Sequence, residues 1–586
     1  MANVAPVSHG TAAAHSNPEA ARKWYKRFSG IRKRLIYGQL YKPLKSDDSI
    51  RLLRLEPGKG DDPIVCTLQP TGLRGNHQPY EALSYVWGSR NSFGEITCNK
   101  QKIIIGKNLR HALHRLRKPG SPRMIWVDAL CINQDDPRER GHQVRQMHFI
   151  YKKAAKVLVW LGKDHYGEAH DAFSTICSIA NTCNVKKWIP RPATFRETTR
   201  GTLPPDTPEP PPLDSPLWEA VQSLFYNEWF VRMWVIQEIT LASSADMIWG
   251  DCEIDWKWVG ISVDHIRQDT KLHALLDSRN LQNAYFMHYI CGQNLDRNPN
   301  SQPFLHLLDW ARSFDVSDPK DKIYGLLGFP TKYTSLEKGS VFLEPDYTLD
   351  IHEIYTEVAY KIIQQDSTLD LLSFVTHDHK SILPSGELQF EFPSWVPDWS
   401  QKIALPYMPF VDLRDATKAL EACIKACLKK GDGPRTVATT ITAGRCEHGW
   451  IIRNEERHLA DFAAFLLELD PDWLKDSWPE ESEYLTELAE DIGNADRSKE
   501  ALWRYTCYRT PFFTKKGKLG IGPGAMQDGD LICVLFGSQV PFVIRTEGDH
   551  YRFIGECYVG DIMEGEAIDM WEAGSEEVVE KVFEMR

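Results

Sequence analysis

From Ile50 to about Gly250, short apolar runs alternate with stretches of helical periodicity, and this alternation constrains the fold more than any other feature of the chain. YEALSYVW (residues 80–87), MIWVDALCI (124–132) and VLVWLG (157–162) have the length and near-continuous apolarity of buried strands, the second running out into a loop. Between the last two lies the clearest helix. Asp136 is its N-cap, Pro137 takes the first helical position, and Glu139 completes a capping-box arrangement. Val144, Met147, His148, Tyr151, Ala154 and Ala155 then form one stripe that leads into VLVWLG. ITCNKQKIIIG predicts a hairpin turning at Asn99 and Lys100, and Asn108 predicts the cap of a helix carrying Leu109, Ala112, Leu113 and Leu116 on one face. DMIWG is a further strand. Strands separated by helices imply a mainly parallel sheet covered on both faces, the doubly wound α/β class.

With 586 residues the chain exceeds what one hydrophobic core organises. Composition shifts divide it into a basic segment (1–49), the α/β domain (50–260), a mainly helical region (261–505) and a small C-terminal β-unit (506–586). Within the second part, TLPPDTPEPPPLDSP holds too many prolines and acids to pack, so 203–216 reads as an exposed, mobile insertion. IHEIYTEVAYKIIQ predicts an amphipathic helix in the third part.

The 42% hydrophobic and 25% charged fractions are those of a globular protein, and the formal charge of −11 argues against general nucleic-acid affinity. A run of about 18 uncharged apolar residues, as a bilayer span requires, is missing, and so is a signal-peptide core, which predicts a cytoplasmic chain. The 13 cysteines are scattered, many within apolar runs, as buried thiols are. Cys423 and Cys427 lack the second pair that a zinc site needs, HDH at 377–379 lacks a third ligand, and no metal is expected. KLGIGPG, with Gly520, Gly522 and Gly524, is followed by no helix pattern and is not a phosphate loop.

Four blocks, YEALSYVWG (80–88), WVDALCINQDD (126–136), FIYKKAAKVLVWLG (149–162) and WFVRMWVIQEITLA (229–242), resemble the signature of fungal heterokaryon-incompatibility (HET) domains. DPKDKIYGLLG (318–328), FPSWVPDW (392–399), and GDLICVLFGSQVPFVIR with YVGDIMEGEA near the end resemble segments that follow the domain in family members. The resemblance implies a role in fungal nonself recognition and programmed cell death. It also implies a TIR-like sheet, because HET domains are thought to be divergent TIR domains. The implied partners are further copies of the chain or other death-pathway proteins. In TIR domains that cleave NAD, a catalytic glutamate stands on the helix matching 229–241. The resemblance therefore makes Glu238 the catalytic candidate and NAD a candidate substrate, with no bound cofactor required.

A continuous helix through this block would put Phe230, Trp234 and Glu238 on one face. A carboxylate ending such an aromatic stripe is partly desolvated, which raises its pKa and suits it to stabilise a cationic ribosyl centre. Trp234 could stack on a flat ring. The competing structural role is a polar network, or a pair with Arg232; Trp229 and Trp234 are equally readable as core anchors. Ligands of doubly wound sheets bind at the carboxyl ends of strands. That rule selects Ser84, Tyr85, Trp87, Gly88 and Ser89 after the first strand, and Asp128, Asn133 and Gln134 after the second, as substrate-binding candidates. Asp128 is also readable as an acid holding its loop, and Cys131 as a core thiol. The family's alternative role is a non-enzymatic interaction module.

Overall fold

Short connections force chain reversal and crossover helices permit parallel neighbours, and both kinds of link occur here. In the computed structural model, β1 (Ser49–Leu55) runs antiparallel to β2 (Val65–Gly72). Next come β3 (Glu81–Tyr85), β4 (Phe93–Cys98) and β5 (Gln101–Gly106). The β4–β5 hairpin turns at Asn99 and Lys100, both left-handed (φ 49° and 66°), as the two-residue hairpin turn requires. The structure describes residues 40–44, 46, 48–73, 78–88, 92–182, 209–276, 278–292, 304–329, 342–377, 392–401, 421, 424–425, 433–446, 450–506, 509–560 and 562–586. The basic segment up to residue 39, Ser89, residues 203–208 of the proline-rich stretch, His379, Cys423 and Cys427 lie outside these.

The chain forms two units, residues 1–83 with 87–143, and residues 84–86 with 144–586. In the first, the strand order is β5-β4-β2-β1-β6-β3, with β6 spanning Arg123–Trp126. The sheet is mixed where a mainly parallel one was expected. β3–β6 and β2–β4 are parallel, whereas β1–β2, β1–β6 and β4–β5 are antiparallel. The expectation failed because it overlooked the two N-terminal strands, which bring reversals rather than crossovers.

Helix α1 (Lys107–Leu116) buries Leu109, Ala112, Leu113 and Leu116 as the periodicity predicts, but Gly106 stands at its N-cap and Asn108 lies inside it. The strand in MIWVDALCI stops at Trp126, and Asp128–Cys131 forms a single helical turn, α2, instead of a loop. Asp136 caps α3 (Pro137–Lys153) by accepting from the N–H groups of Arg138 (3.0 Å) and Glu139 (3.3 Å). Glu139 does not return the bond. Its carboxylate is held by Arg51 (2.5 and 3.0 Å) and by the N–H of Asn133 (2.8 Å), because a buried guanidinium is a stronger partner than the cap amide. Met147, His148, Tyr151 and Ala154 are buried as expected; Ala155 lies past the helix end and is exposed.

In the second unit β7 (Lys156–Gly162) pairs in parallel with β8 (Ala245–Trp249), and β9 (Cys252–Asp255) turns back on β8. Helices α4 (Ala169–Thr182) and α5 (Leu217–Phe225) separate β7 from the block at residues 229–242, in which α6 (Val235–Thr240) is the α-helical part. The end of the proline-rich stretch is mostly exposed but has a defined turn, since Ser215 N–H reaches Pro212 O (3.0 Å) and the Trp218 indole donates to the same carbonyl (2.8 Å). Then come α7 (Trp256–Gln268), α8 (Thr270–Leu276), α9 (Arg279–Gly292), α10 (Phe304–Trp310), α11 (Asp321–Tyr324) and the amphipathic α12 (Ile351–Asp366), which has a full Asp350/Glu353 capping box.

A helical cluster, α13 (Pro434–Ile441), α14 (Glu455–Leu469), α15 (Trp473–Ser477), α16 (Ser482–Ile492) and α17 (Ala495–Thr506), packs around Val437, Phe462, Leu466 and Leu485. The C-terminal part holds two three-stranded sheets. One has the order β10-β11-β15 (Arg509–Phe513, Leu519–Pro523, Tyr558–Val559), the other β12-β13-β14 (Leu531–Cys533, Phe542–Glu547, His550–Glu556). The glycines of KLGIGPG serve this sheet: a Cβ at Gly520 would lie 2.5 Å from the Phe512 ring. Among the described residues no helix is long and apolar enough to cross a membrane.

His148 is 5% exposed, and burial holds its imidazole down to about 4. The unfolded chain takes up this proton near pH 6.5 and the folded chain does not, so the contribution is complete above pH 6.5 and is lost as pH falls towards 4. At pH 5 the loss is about 2 kcal/mol. His148→Leu should therefore lose less melting temperature than the wild type between pH 7 and pH 5; equal losses would contradict the assignment.

Candidate active site

Ser84 is the penultimate residue of β3 and sits in the second unit with Tyr85 and Val86. It is 1% exposed, so its hydroxyl must be satisfied by protein. The Trp229 indole N–H donates to Ser84 Oγ (2.7 Å), and Ser84 Oγ donates in turn to Glu238 Oε2. The result is a buried relay, Trp229 to Ser84 to Glu238. Glu238 is 3% exposed. Trp229 in turn stands edge-on to Phe230 (5.1 Å) and Trp256 (6.0 Å).

The block carrying Trp229 and Glu238 is not one helix. Glu228–Val231 is a 3-10 turn, Arg232 is extended (ψ 132°), and α6 begins only at Val235. The break has a cause. Met233 N–H donates to Asp315 O (3.1 Å) and Asp315 N–H donates to Val231 O, so these backbone groups are unavailable to a helix. The expected single face of Phe230, Trp234 and Glu238 is therefore absent. Trp229 instead supplies the aromatic partner of the carboxylate path, while Trp234 turns its N–H to Asp321 Oδ2 (3.2 Å). Arg232 does not pair with Glu238; its Nη1 donates to Tyr85 O.

A downstream segment clasps this block. Gln237 Nε2 donates to the carbonyls of Tyr324 (3.3 Å) and Gly325 (2.6 Å), and Tyr347 OH joins Trp234 on Asp321 (2.7 Å). Buried Lys322 donates to the carbonyls of Ala311 (3.1 Å), Arg312 (2.9 Å) and Phe314 (2.5 Å), which fixes the turn preceding Asp315. Asn283 bonds Phe230 O (2.9 Å) and accepts from Ser313 Oγ (2.6 Å). These residues were not singled out individually in the sequence; the signal was the DPKDKIYGLLG block, whose charges interrupt an apolar pattern at positions that prove buried.

In the first unit, Trp87 is 46% exposed and its indole donates to Asp128 Oδ2 (2.9 Å). Asp128 Oδ1 accepts from Ala129 N–H (2.7 Å), and Gln134 Nε2 reaches Asp128 O (3.1 Å). Asp128 thus holds its own turn. Asn133 accepts from Asp135 N–H on its side chain (3.3 Å) and from Asp136 N–H on its carbonyl (3.2 Å). Gly88 is left-handed (φ 75°), a conformation that favours glycine there independently of any ligand. The sequence candidates therefore fall into two sets: Ser84, Tyr85, Trp234 and Glu238 in one unit, and Trp87, Gly88, Asp128, Asn133 and Gln134 in the other. Cys131 is a core thiol, fully buried and pushed up to about 12 by burial. His377 Nε2 donates to Ser394 O (3.1 Å). Among the described residues no group of three His, Cys, Asp or Glu side chains could hold a metal ion.

Residues 80–238 match the family described as Heterokaryon incompatibility protein (HET), a span that opens just before β3 and ends on Glu238. The chain therefore carries a HET domain over these residues. Residues 480–575 match the Het-6 beta-barrel domain. The chain is also similar to "Heterokaryon incompatibility protein 6, OR allele" of Neurospora crassa, 24% identical over 659 aligned positions that cover 89% of this chain and 94% of the relative. No solved structure matches it. The clasp at residues 311–328 lies outside the matched HET segment, yet it holds that segment's last ten residues.

At Gly328 the clasp leaves no room for a side chain. A Cβ there would lie 2.6 Å from both Gln237 Oε1 and His148 Cβ, and Gln237 is itself pinned. Gly328→Ala should therefore cost about 1–3 kcal/mol, read as a lowered melting temperature. An unchanged melting temperature would show that the clasp is slack.

Proposed function

We propose that this chain acts in fungal heterokaryon incompatibility, as a cytoplasmic HET-domain protein whose domain works as a TIR-like NAD glycohydrolase when copies assemble. The observation that carries the reading is the buried Glu238 carboxylate, fed by the Ser84 hydroxyl at the carboxyl end of β3. Water would attack C1′ of the nicotinamide ribose as the C–N bond breaks, giving ADP-ribose, neutral nicotinamide and a proton. Positive charge grows on the ribosyl centre in that step, and a carboxylate in apolar surroundings opposes it most effectively. Ser84 would orient the carboxylate. Tyr85 and Trp234, in the same unit as Glu238, are the residues proposed to receive the rest of the substrate. With Glu238 only 3% exposed, the substrate reaches it only if neighbouring groups move, which fits activation by self-association or by another death-pathway protein.

The same burial favours a second reading, an interaction module without chemistry. Trp87, Phe93 and Ile104 are exposed at 46%, 47% and 65% and would serve as its contact residues.

Glu238→Gln separates the two. The amide keeps size and can still accept from Ser84, but it cannot offset cationic charge. NAD turnover by the full chain, followed as nicotinamide release over a range of protein concentrations, should fall by about a hundredfold or more at little change in melting temperature. Undiminished turnover by the folded variant would remove Glu238 from the mechanism, and no turnover by the wild type at any concentration would favour the interaction module.

A further inference from the structure

Cys66 and Cys98 stand opposite each other where β2 meets β4, as register partners in that parallel pairing. Both belong to the first unit, both are fully buried, and nothing in the proposed chemistry uses them. We propose that they form a redox latch: a hydroperoxide oxidises the two thiols to a disulfide that staples the β4–β5 hairpin to β2, and a thiol reductant releases it.

The register supplies the geometry. Partners on neighbouring strands lie about 4.8 Å apart with side chains on one face, within the roughly 4.4–6.8 Å over which a disulfide joins two Cα atoms. The side chains already meet, because the thiols of Cys66 and Cys98 hydrogen-bond each other, and Cys66 Sγ also lies 3.5 Å from Thr97 O. Bond formation therefore asks for a side-chain adjustment rather than a rebuilt sheet.

The place of the pair gives the disulfide its effect. β1 and β2 pair over the whole of β1, and β4 and β5 pair over the whole hairpin. β2 and β4 pair at Val65↔Thr97 and Cys66↔Cys98. Beside them, Thr97 N–H donates to Ile64 O (2.9 Å), Asn99 N–H to Cys66 O (3.0 Å) and Leu68 N–H to Asn99 Oδ1 (2.9 Å). The cysteines thus sit in the short joint that ties the hairpin to the rest of the sheet. Hydrogen peroxide, little larger than water, reaches Cys98 when this joint opens, and the disulfide then holds it closed.

The two sulfurs have different roles. The bond from Cys66 brings the Cys98 thiol below its ordinary value, while the same contact together with burial holds the Cys66 thiol up. Cys98 is therefore the attacking thiolate. Its sulfur bonds to one peroxide oxygen as the O–O bond breaks, hydroxide leaves and takes up the proton that Cys98 gave up, and Cys98 becomes a sulfenic acid. The Cys66 sulfur then attacks the Cys98 sulfur, the S–O bond breaks, and a second water leaves with the Cys66 proton. Two thiols and one peroxide give one disulfide and two waters. Cys131, the third buried thiol of this unit, accepts Val127 N–H within its own helical turn (3.4 Å), and the strand register gives Cys98 its partner in Cys66 instead.

The test is oxidation of the full chain by hydrogen peroxide, with free thiols alkylated and peptides mapped by mass spectrometry. A Cys66–Cys98 cross-link should form, and dithiothreitol should remove it. Amides of residues 93–106 should exchange about tenfold more slowly or more in the oxidised chain than in the reduced one. Cys66→Ala should leave Cys98 as a sulfenic acid trapped by dimedone, Cys98→Ala should leave Cys66 untrapped, and peroxide should slow exchange in neither variant. No Cys66–Cys98 cross-link, a Cys98–Cys131 cross-link in its place, a cross-link that dithiothreitol does not reverse, or a cross-link without slower exchange would each overturn the proposal. Trapping at Cys66 instead of Cys98 would overturn the order of attack. Cys66→Ser and Cys98→Ser replace an alanine variant that unfolds, and the wild-type cross-link and its exchange decide the latch without either.

Discussion

Two backbone hydrogen bonds between residues 231–233 and Asp315 govern the geometry of the HET segment's end. By taking Val231 O and Met233 N–H away from the helix, they break the block into a 3-10 turn and a short helix. The break separates the roles of its aromatics. Trp229 turns inward to the Ser84 hydroxyl, and Trp234 turns to Asp321. Trp234 still stands one helical turn before Glu238, whose N–H donates to its carbonyl (3.3 Å), so what the break takes from that face is Phe230.

The break also bears on how a buried acid is accommodated here. Such a group is costly unless hydrogen-bonded; Ser84 donates one bond to Glu238, and Trp229 satisfies the serine oxygen from the other side. Lys322, Gln237 and Asp321 play the corresponding part for the clasp. Each places a polar group where several carbonyls or indole and phenol donors would otherwise be buried without partners. The outcome is a polar spine running through an otherwise aromatic and aliphatic interior.

Much of this was legible in the chain itself. Period and capping located α3, the hairpin at Asn99 and Lys100, and the apolar face of α1, since those features depend on neighbours along the chain. What was not legible depended on distant partners. Glu139 looks like a capping-box residue until Arg51, 88 positions away, is brought beside it. The block at 229–241 has helical composition throughout, and only the approach of Asp315 shows why it breaks. Strand direction was misread because β1 and β2 lie before the first resembling motif. For the candidate site, Ser84 and Glu238 were both identifiable, but their direct hydrogen bond was not, because 154 positions separate them.

The central claim is that the clasp and the HET segment's end form one cooperative element. Hydrogen exchange of the full chain, comparing wild type with Gln237→Leu, addresses it directly. The substitution keeps the volume but leaves the carbonyls of Tyr324 and Gly325 without the amide donor. If the account holds, amides in 231–241 and in 321–328 should both exchange about tenfold faster or more, together, with α14 and the C-terminal sheets unchanged. Faster exchange confined to one of the two segments, or no change in either, would contradict it.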